Sequence, residues 1–234
     1  LTILDKTVQA IREHYPEQQD FDPRKIDLAD QKTLQLFQKG DTDGVFQFES
    51  SGIRNVLIKL KPTSFDDIVA TNALYRPGPM ENIPTFIARK NGQEKVAYPV
   101  PELANTLGDT YGVLVYQEQV MQVAVEMGGF TMGQADILRR AVSKKKKADL
   151  DNARESFIAG AQKQGYSTDV AMTVYDYIER FANYGFNKSH AVAYSMVAFW
   201  LAYLKVHFPA EFFLSLLNAN LNNERKTAAY LQEL

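Results

Sequence analysis

The chain has 234 residues, 45% of them hydrophobic and 23% charged, with a formal net charge of -2. That is enough for one large domain or two small ones with a real core, and it argues against disorder. There is no cysteine, which excludes disulfides and thiolate metal sites and is compatible with an intracellular setting; His14, His190 and His207 are too far apart in sequence to suggest a histidine-rich metal centre.

Apolar residues at Leu1, Ile3, Leu4, Val8 and Ile11 predict an amphipathic helix to about Glu13, followed by a polar, proline-containing loop from Tyr15 to Asp27. Asp30 is placed to cap a helix that runs to Lys39 and stops at Gly40. Asp43-Gly44 and the alternation Val45 to Glu49 predict a turn and a short strand. Helices follow from Ser51 to Leu60 and from Ser64 onward, with Asp67 near the start of the second. Arg76-Pro77-Gly78-Pro79 is a rigid break that places Arg76 on extended backbone at a helix end. Met80 to Lys90 reads as helix, Tyr98 to Pro101 as a stiff connector, Gly112 to Tyr116 as a strand, and Gln117 to Met127 as helix. From Thr131 onward nearly everything reads as helix, interrupted near Gly165, Gly185 and Pro209. The expected architecture is mainly α with a few short β-strands.

The longest uncharged stretch, Ala191 to Leu204, is shorter than the roughly 20 apolar residues that a spanning helix needs, so a buried core helix is expected there. No signal-peptide pattern stands at the amino end, and both ends read as cuts from something larger.

Leu138 to Lys147 carries six positive charges and no acid in a chain that is nearly neutral. Thr131 and Gln134 form a capping-box pattern that would start a helix there. Helical phase then puts Ile137, Leu138, Ala141 and Val142 on one side and Arg139, Arg140, Ser143 and Lys147 on the other. A solvated charge run is the default reading of such lysines. The adjacent arginines are less easily dismissed, because guanidinium forks match phosphate oxygens bidentately.

In Asn183 to His190, Gly185 can close one helix and Asn187 can cap the next, which puts Lys188, Ser189 and His190 in its first turn. Cations there oppose the helix dipole unless an anion such as phosphate is bound. A plain corner with exposed polar residues reads the same way. Asn72 to Pro79 fixes Tyr75 and Arg76 at a defined place, with a structural turn as the default. Tyr116-Gln117-Glu118-Gln119 lies at a strand-helix junction; Glu118 has no partner nameable from sequence and is assigned a structural role. Asp41 and Asp43 are likewise read as structural.

Taken in order, Val45 to Ser50, Ala73 to Pro79, Tyr116 to Met121, Leu138 to Ala141 with its lysines, and Tyr184 to His190 resemble the fingers domain of the C-family bacterial replicative DNA polymerases, the DNA polymerase III alpha subunits. The strings are closer to the DnaE-type than to the longer type that carries its own exonuclease. The resemblance spans about Leu1 to Asn220, so residues 1-221 are expected to be fingers and residues 222-234 the start of a following helical segment. It implies that Arg139, Arg140, Lys188, His190, Asn187, Tyr184 and Arg76 bind the incoming deoxynucleoside triphosphate. Lys144, Lys145, Lys146 and Lys147 are expected to attract DNA or to be simply solvated. The two magnesium ions would be held by palm aspartates, the last of them just upstream of Leu1, so no catalytic residue is expected within the chain. Implied partners are primer-template DNA, the remaining polymerase domains and, through them, the sliding clamp and replisome, in the cytoplasm and without a membrane. The rival reading is a stand-alone helical nucleic-acid-binding module; a purely structural helical interaction domain is a third.

Overall fold

The computed structural model describes residues 1-144, 147-181 and 185-233. In chain order its helices are α1 (Thr2–His14), α2 (Gln31–Lys39), α3 (Ser51–Leu60), α4 (Phe65–Leu74), α5 (Ile83–Lys90), α6 (Ala104–Leu107), α7 (Gln117–Glu126), α8 (Met132–Lys144), α9 (Lys147–Lys163), α10 (Thr168–Phe181), α11 (Lys188–His207), α12 (Pro209–Ala219) and α13 (Glu224–Glu233). The chain divides into two compact units: Leu1–Asn72 with Val192–Leu234, and Ala73–Ala191. Mainly α is therefore the observed class.

In the first unit α1 packs on α12. Leu4, Val8 and Ile11, one face of α1, meet Leu201, Leu204, Phe212, Phe213, Leu216 and Tyr230 in one core. Burying each such side chain contributes about 1.5–3 kcal/mol, far more than the helical propensity of so short a segment. Asp30 caps α2 by accepting from the Thr33 amide at 2.8 Å, and Gly40 ends it in the left-handed region at φ 70°. Phe37 on that helix is fully buried, edge-on to Phe48 and stacked on Phe199. The α11 stretch from Ala191 to Leu204 is a core helix as expected, with Ala191, Ser195, Ala198, Phe199, Leu201, Ala202 and Leu204 buried. Among the described residues no single helix is long and apolar enough to cross a membrane, and α11 and α12 bend by 118° at their junction.

Lys205 is one of the buried charged residues of this unit, with Asp67 and Glu211. Its side chain is 6% exposed, and its Nζ donates to the carbonyls of Asp41 at 2.8 Å and Asp43 at 2.9 Å and pairs with the Glu233 carboxylate on α13. Burial pulls the Lys205 pKa below its ordinary value, against the opposing pull of Glu233. The Asp43 carboxylate pairs with Arg54. Asp41 and Asp43 thus have the structural role read from the sequence.

Two predicted strands are corrected. Val45 to Glu49 folds as consecutive turns: Val45 donates to the Thr42 carbonyl, Phe48 to the Val45 carbonyl, and Gln47 has φ 69°. Val45 and Phe48 are buried while Phe46 is 40% exposed, a three-residue spacing that a strand's two-residue period does not produce. Gly112 stands in a turn at φ 77°, and among the described residues the segment from there to Tyr116 pairs at one isolated parallel bridge, Tyr116 with Phe186. The Gly112 and Val113 amides donate to the Leu107 and Thr110 carbonyls, and the next three go to side chains in place of a ladder: Leu114 donates to the Tyr177 hydroxyl, and Val115 and Tyr116 both donate to Gln119 Oε1.

The second unit has its own core, in which Leu114, Val120, Val123 and Met127 meet Leu138, Phe157, Tyr175 and Ile178. α7 packs on α8, α8 on α9, and α9 on α10. Gly160 lets α9 press against the Gly128 carbonyl, where a side chain would collide with backbone. Thr131 and Gln134 form the predicted capping box, each side chain accepting from the other residue's amide, at 3.3 and 2.9 Å. The buried stripe of α8 is Ala135, Leu138 and Ala141. Ile137, predicted on that face, is 65% exposed. A stripe at i, i+3 and i+6 leaves the residue before Leu138 off its edge.

Candidate nucleotide-binding site

The site lies wholly within the second unit and is organised by the first turn of α7. Gln119 is buried there and fixed on four sides: its Oε1 takes the Val115 and Tyr116 amides, and its Nε2 donates to the Thr106 carbonyl and the Thr110 hydroxyl. With Gln119 locked, Tyr116, Gln117 and Glu118 are presented at defined positions.

Gln117 is the connector. Its amide donates to the Phe186 carbonyl at 2.9 Å and its Nε2 to the Gly185 carbonyl at 2.9 Å, while its Oε1 accepts from Arg139 Nη1 at 3.2 Å. One side chain therefore joins the arginine helix to the Gly185–His190 corner. Glu118 reaches the same corner: Asn187 Nδ2 donates to its Oε1 and the Lys188 amide to its Oε2, both at 2.9 Å. Asn187 caps α11 as expected, its Oδ1 accepting from the His190 amide at 2.8 Å. The Lys188 ammonium lies 5.3 Å from the centre of the Tyr116 ring. Phe186 carries Arg76 on its face at 3.7 Å and His190 edge-on at 5.4 Å. Arg76 lies two residues beyond Leu74, the last residue of α4, so the helix ends before it as predicted.

The arginines share one carboxylate. Arg139 Nε and Nη2 donate to Asp136 Oδ1 at 2.9 and 2.8 Å, and Arg140 Nη2 lies 2.8 Å from Asp136 Oδ2. Hydrogen bonding from Arg139, helped by both positive charges, holds the Asp136 pKa below the ordinary carboxylate range. Arg139 is 28% exposed, Arg140 65% and Asp136 30%. Solvated pairs at these helical spacings stabilise by only about 0.3–0.5 kcal/mol each. A hydrogen bond from a guanidinium to a charged phosphate oxygen contributes about 1.5–3 kcal/mol. The arginines are thus held in position by a partner weak enough to exchange.

Of the residues expected at the site, Arg76, Arg139, Asn187, Lys188 and His190 belong to one connected cluster, with Arg140 joined to it through Asp136. Lys144 ends α8, Lys147 begins α9, and both are exposed. Tyr184, Lys145, Lys146 and the Ser143 side chain lie outside the described residues. Sequence reading missed Asp136, Gln117 and the partners of Glu118. Asp136 stands three and four residues before the arginines, a spacing that could have found it. Nothing local signals that Glu118 meets residues about 70 positions away.

The sequence profile of the bacterial DNA polymerase III alpha subunit finger domain matches residues 1-165. The chain belongs to this family. It is 54% identical over 233 residues to the DNA polymerase III subunit alpha of Bacillus subtilis and 52% identical over 234 residues to that of Halalkalibacterium halodurans. Each alignment covers all of this chain and 21% of the relative. The Staphylococcus aureus subunit is 49% identical over 214 residues, 92% of this chain and 20% of the relative. The chain thus spans about a fifth of the length of the curated relatives it matches. The strings at Tyr116 and Leu138 fall within the residues matched by the finger profile, whereas the Gly185 string lies beyond residue 165, in the stretch aligned with the Bacillus subtilis protein.

Proposed function

We propose that the chain forms the fingers of a DNA-directed DNA polymerase and that the cluster around Gln117 receives the triphosphate of the incoming deoxynucleotide. The observation that carries this reading is the Gln117 bridge, which ties Arg139 to the Gly185–His190 corner within a finger-family chain. Arg139, Arg140 and Lys188 would neutralise the phosphates, while Asn187, His190 and Arg76 would shape the pocket around Phe186. In the longer enzyme the primer's 3′ hydroxyl attacks the α-phosphate, and cations already in place stabilise the charge that develops without reorganising. Exposed Lys144 and Lys147, with Lys145 and Lys146, would add general attraction for primer-template DNA.

The two magnesium ions expected of such an enzyme do not fit the described residues of this chain. Among the described residues no three His, Asp or Glu side chains converge as a metal site, and the carbonyls of Asp41 and Asp43 are engaged by Lys205. We assign the ions to the remainder of the longer protein, and predict that this segment alone catalyses nothing. The fingers would extend to residue 221, and the remaining domains, clamp and replisome would be reached through the rest of the protein in the cytoplasm.

The test is steady-state synthesis by the full-length polymerase with Arg139→Ala and Arg140→Ala. We expect the nucleotide KM to rise about 10- to 100-fold per arginine, the equivalent of one lost charged hydrogen bond. An unaltered KM and kcat would sink the assignment.

A further inference from the structure

We propose that Glu118 is an internal stand-in for phosphate: its carboxylate closes the anion seat at the start of α11 when no nucleotide is bound, and is exchanged for the triphosphate on binding. The inference rests on the reading of the cluster given above and names the group that regulates it.

Three observations lead here. First, Glu118 takes the two donors that a phosphate would use at this corner, the Lys188 amide and the Asn187 side-chain amide, both at 2.9 Å. Amides at a helix start favour negative charge, so the seat is suited to an anion and currently holds a carboxylate. Second, the cationic half of the cluster is arranged alike: Asp136 accepts from Arg139 and pairs with Arg140. Both groups of donors are thus neutralised from within by an acid, Asp136 from the preceding turn of α8 and Glu118 from α7. Third, the scaffold does not depend on Glu118. Gln119 holds the backbone before α7, Gln117 holds the Gly185 and Phe186 carbonyls, and the Asn187 cap is made through Oδ1 while Glu118 uses Nδ2. Glu118 can swing away and leave the corner standing.

A carboxylate that competes with the ligand lowers affinity for every phosphate chain alike, the pyrophosphate product included. Exchange therefore trades some binding strength for release, because the returning carboxylate reoccupies the donors as product leaves. A lone carboxylate within reach of the seat also repels anions that bring no further contacts. A triphosphate that engages Arg139 and Arg140 at the same time has the additional contacts that displacing Glu118 requires.

The variant is Glu118→Gln in the full-length polymerase, which keeps the shape and one acceptor and removes the charge. Inorganic tripolyphosphate, which has the charge but no base or sugar, is the probe, titrated alongside a deoxynucleoside triphosphate and pyrophosphate. We expect all three to bind about 3- to 5-fold more tightly, in keeping with removing one like charge at a helix start. The nucleotide KM should fall, with kcat unchanged or reduced as product release slows. Damage to the fold or loss of an orienting contact would weaken binding, so the sign of the change separates exchange from a structural role. Arg139→Ala is measured in parallel. Weaker binding in Arg139→Ala with unchanged or weaker binding in Glu118→Gln overturns the exchange and leaves the pocket. Binding unaffected in both variants places the phosphates elsewhere and overturns the pocket itself.

Discussion

Each unit holds cations engaged by several partners, and these cations differ in accessibility between the two. In the first unit the Lys205 ammonium is almost fully buried and takes two carbonyls and a carboxylate, partners that hold the 41-43 turn and α13 to α11. In the second unit Arg139 and Arg140 are partly solvated and share one half-buried carboxylate, while Lys188 and Asn187 begin a helix start met by Glu118. A buried charge that loses its partners leaves unsatisfied groups in a medium that cannot solvate them, so its contacts are permanent. A solvated pair exchanges partners at little cost, as a ligand site requires. Positive charge by itself therefore marks neither function nor stability; burial decides which.

Substitution can break this contrast. The largest effect expected is for Lys205→Met, which strands the Asp41 and Asp43 carbonyls and the Glu233 carboxylate. We expect about 3 kcal/mol of lost stability, read as a lower denaturant midpoint, with little change in nucleotide affinity of the protein that remains folded. Gly160→Ala should follow at about 1–3 kcal/mol, since a methyl there meets the Gly128 backbone and not a side chain that could move aside. Arg139→Ala should show the reverse pattern, a stability change below about 0.5 kcal/mol with a nucleotide affinity lower by about 10-fold or more.

Asp30→Ala should remove about 1 kcal/mol through loss of the α2 cap. Burial works to raise the Asp30 pKa, but hydrogen bonds from Thr33 and His207 outweigh it and hold it below its ordinary value. A depressed folded-state pKa means that this stabilisation is fully present above the unfolded value and is lost as pH falls through the folded one. The gap between wild type and Asp30→Ala should accordingly narrow below about pH 4 in thermal melts. The smallest expected effect is for Lys144→Ala and Lys147→Ala. Each should reduce the salt dependence of DNA binding by about one unit of slope, without moving the nucleotide KM.

Much of the second unit's cluster was legible because its parts are local. The Thr131–Gln134 box, the Asn187 cap and the helix end before Arg76 depend on neighbours a few residues away, and all three occur as read. The α2 boundaries followed from Asp30 and Gly40 for the same reason. The strand at Val45 was misread because its amides close turns on nearby carbonyls, and the one at Gly112 because Leu114, Val115 and Tyr116 donate to the Tyr177 and Gln119 side chains. Tyr177 is 63 residues from the amide it receives, and no periodicity in the strand-like segment reports it. The charge balance of the site was misread in a related way. The basic run holds no acid, but Asp136 lies two residues before it and Glu118 arrives from α7. Net charge along a sequence window is not the net charge of the site that folds from it.

On the proposed reading the arginine–corner cluster would bind the triphosphate while the Lys205 centre only holds the fold. The most direct test is the equilibrium dissociation constant of a deoxynucleoside triphosphate for the full-length polymerase carrying Arg139→Ala and Arg140→Ala together, measured with the thermal midpoint of the same protein. A loss of about 100-fold or more in affinity with a midpoint near that of wild type is the predicted result. Wild-type affinity in the double variant would contradict it.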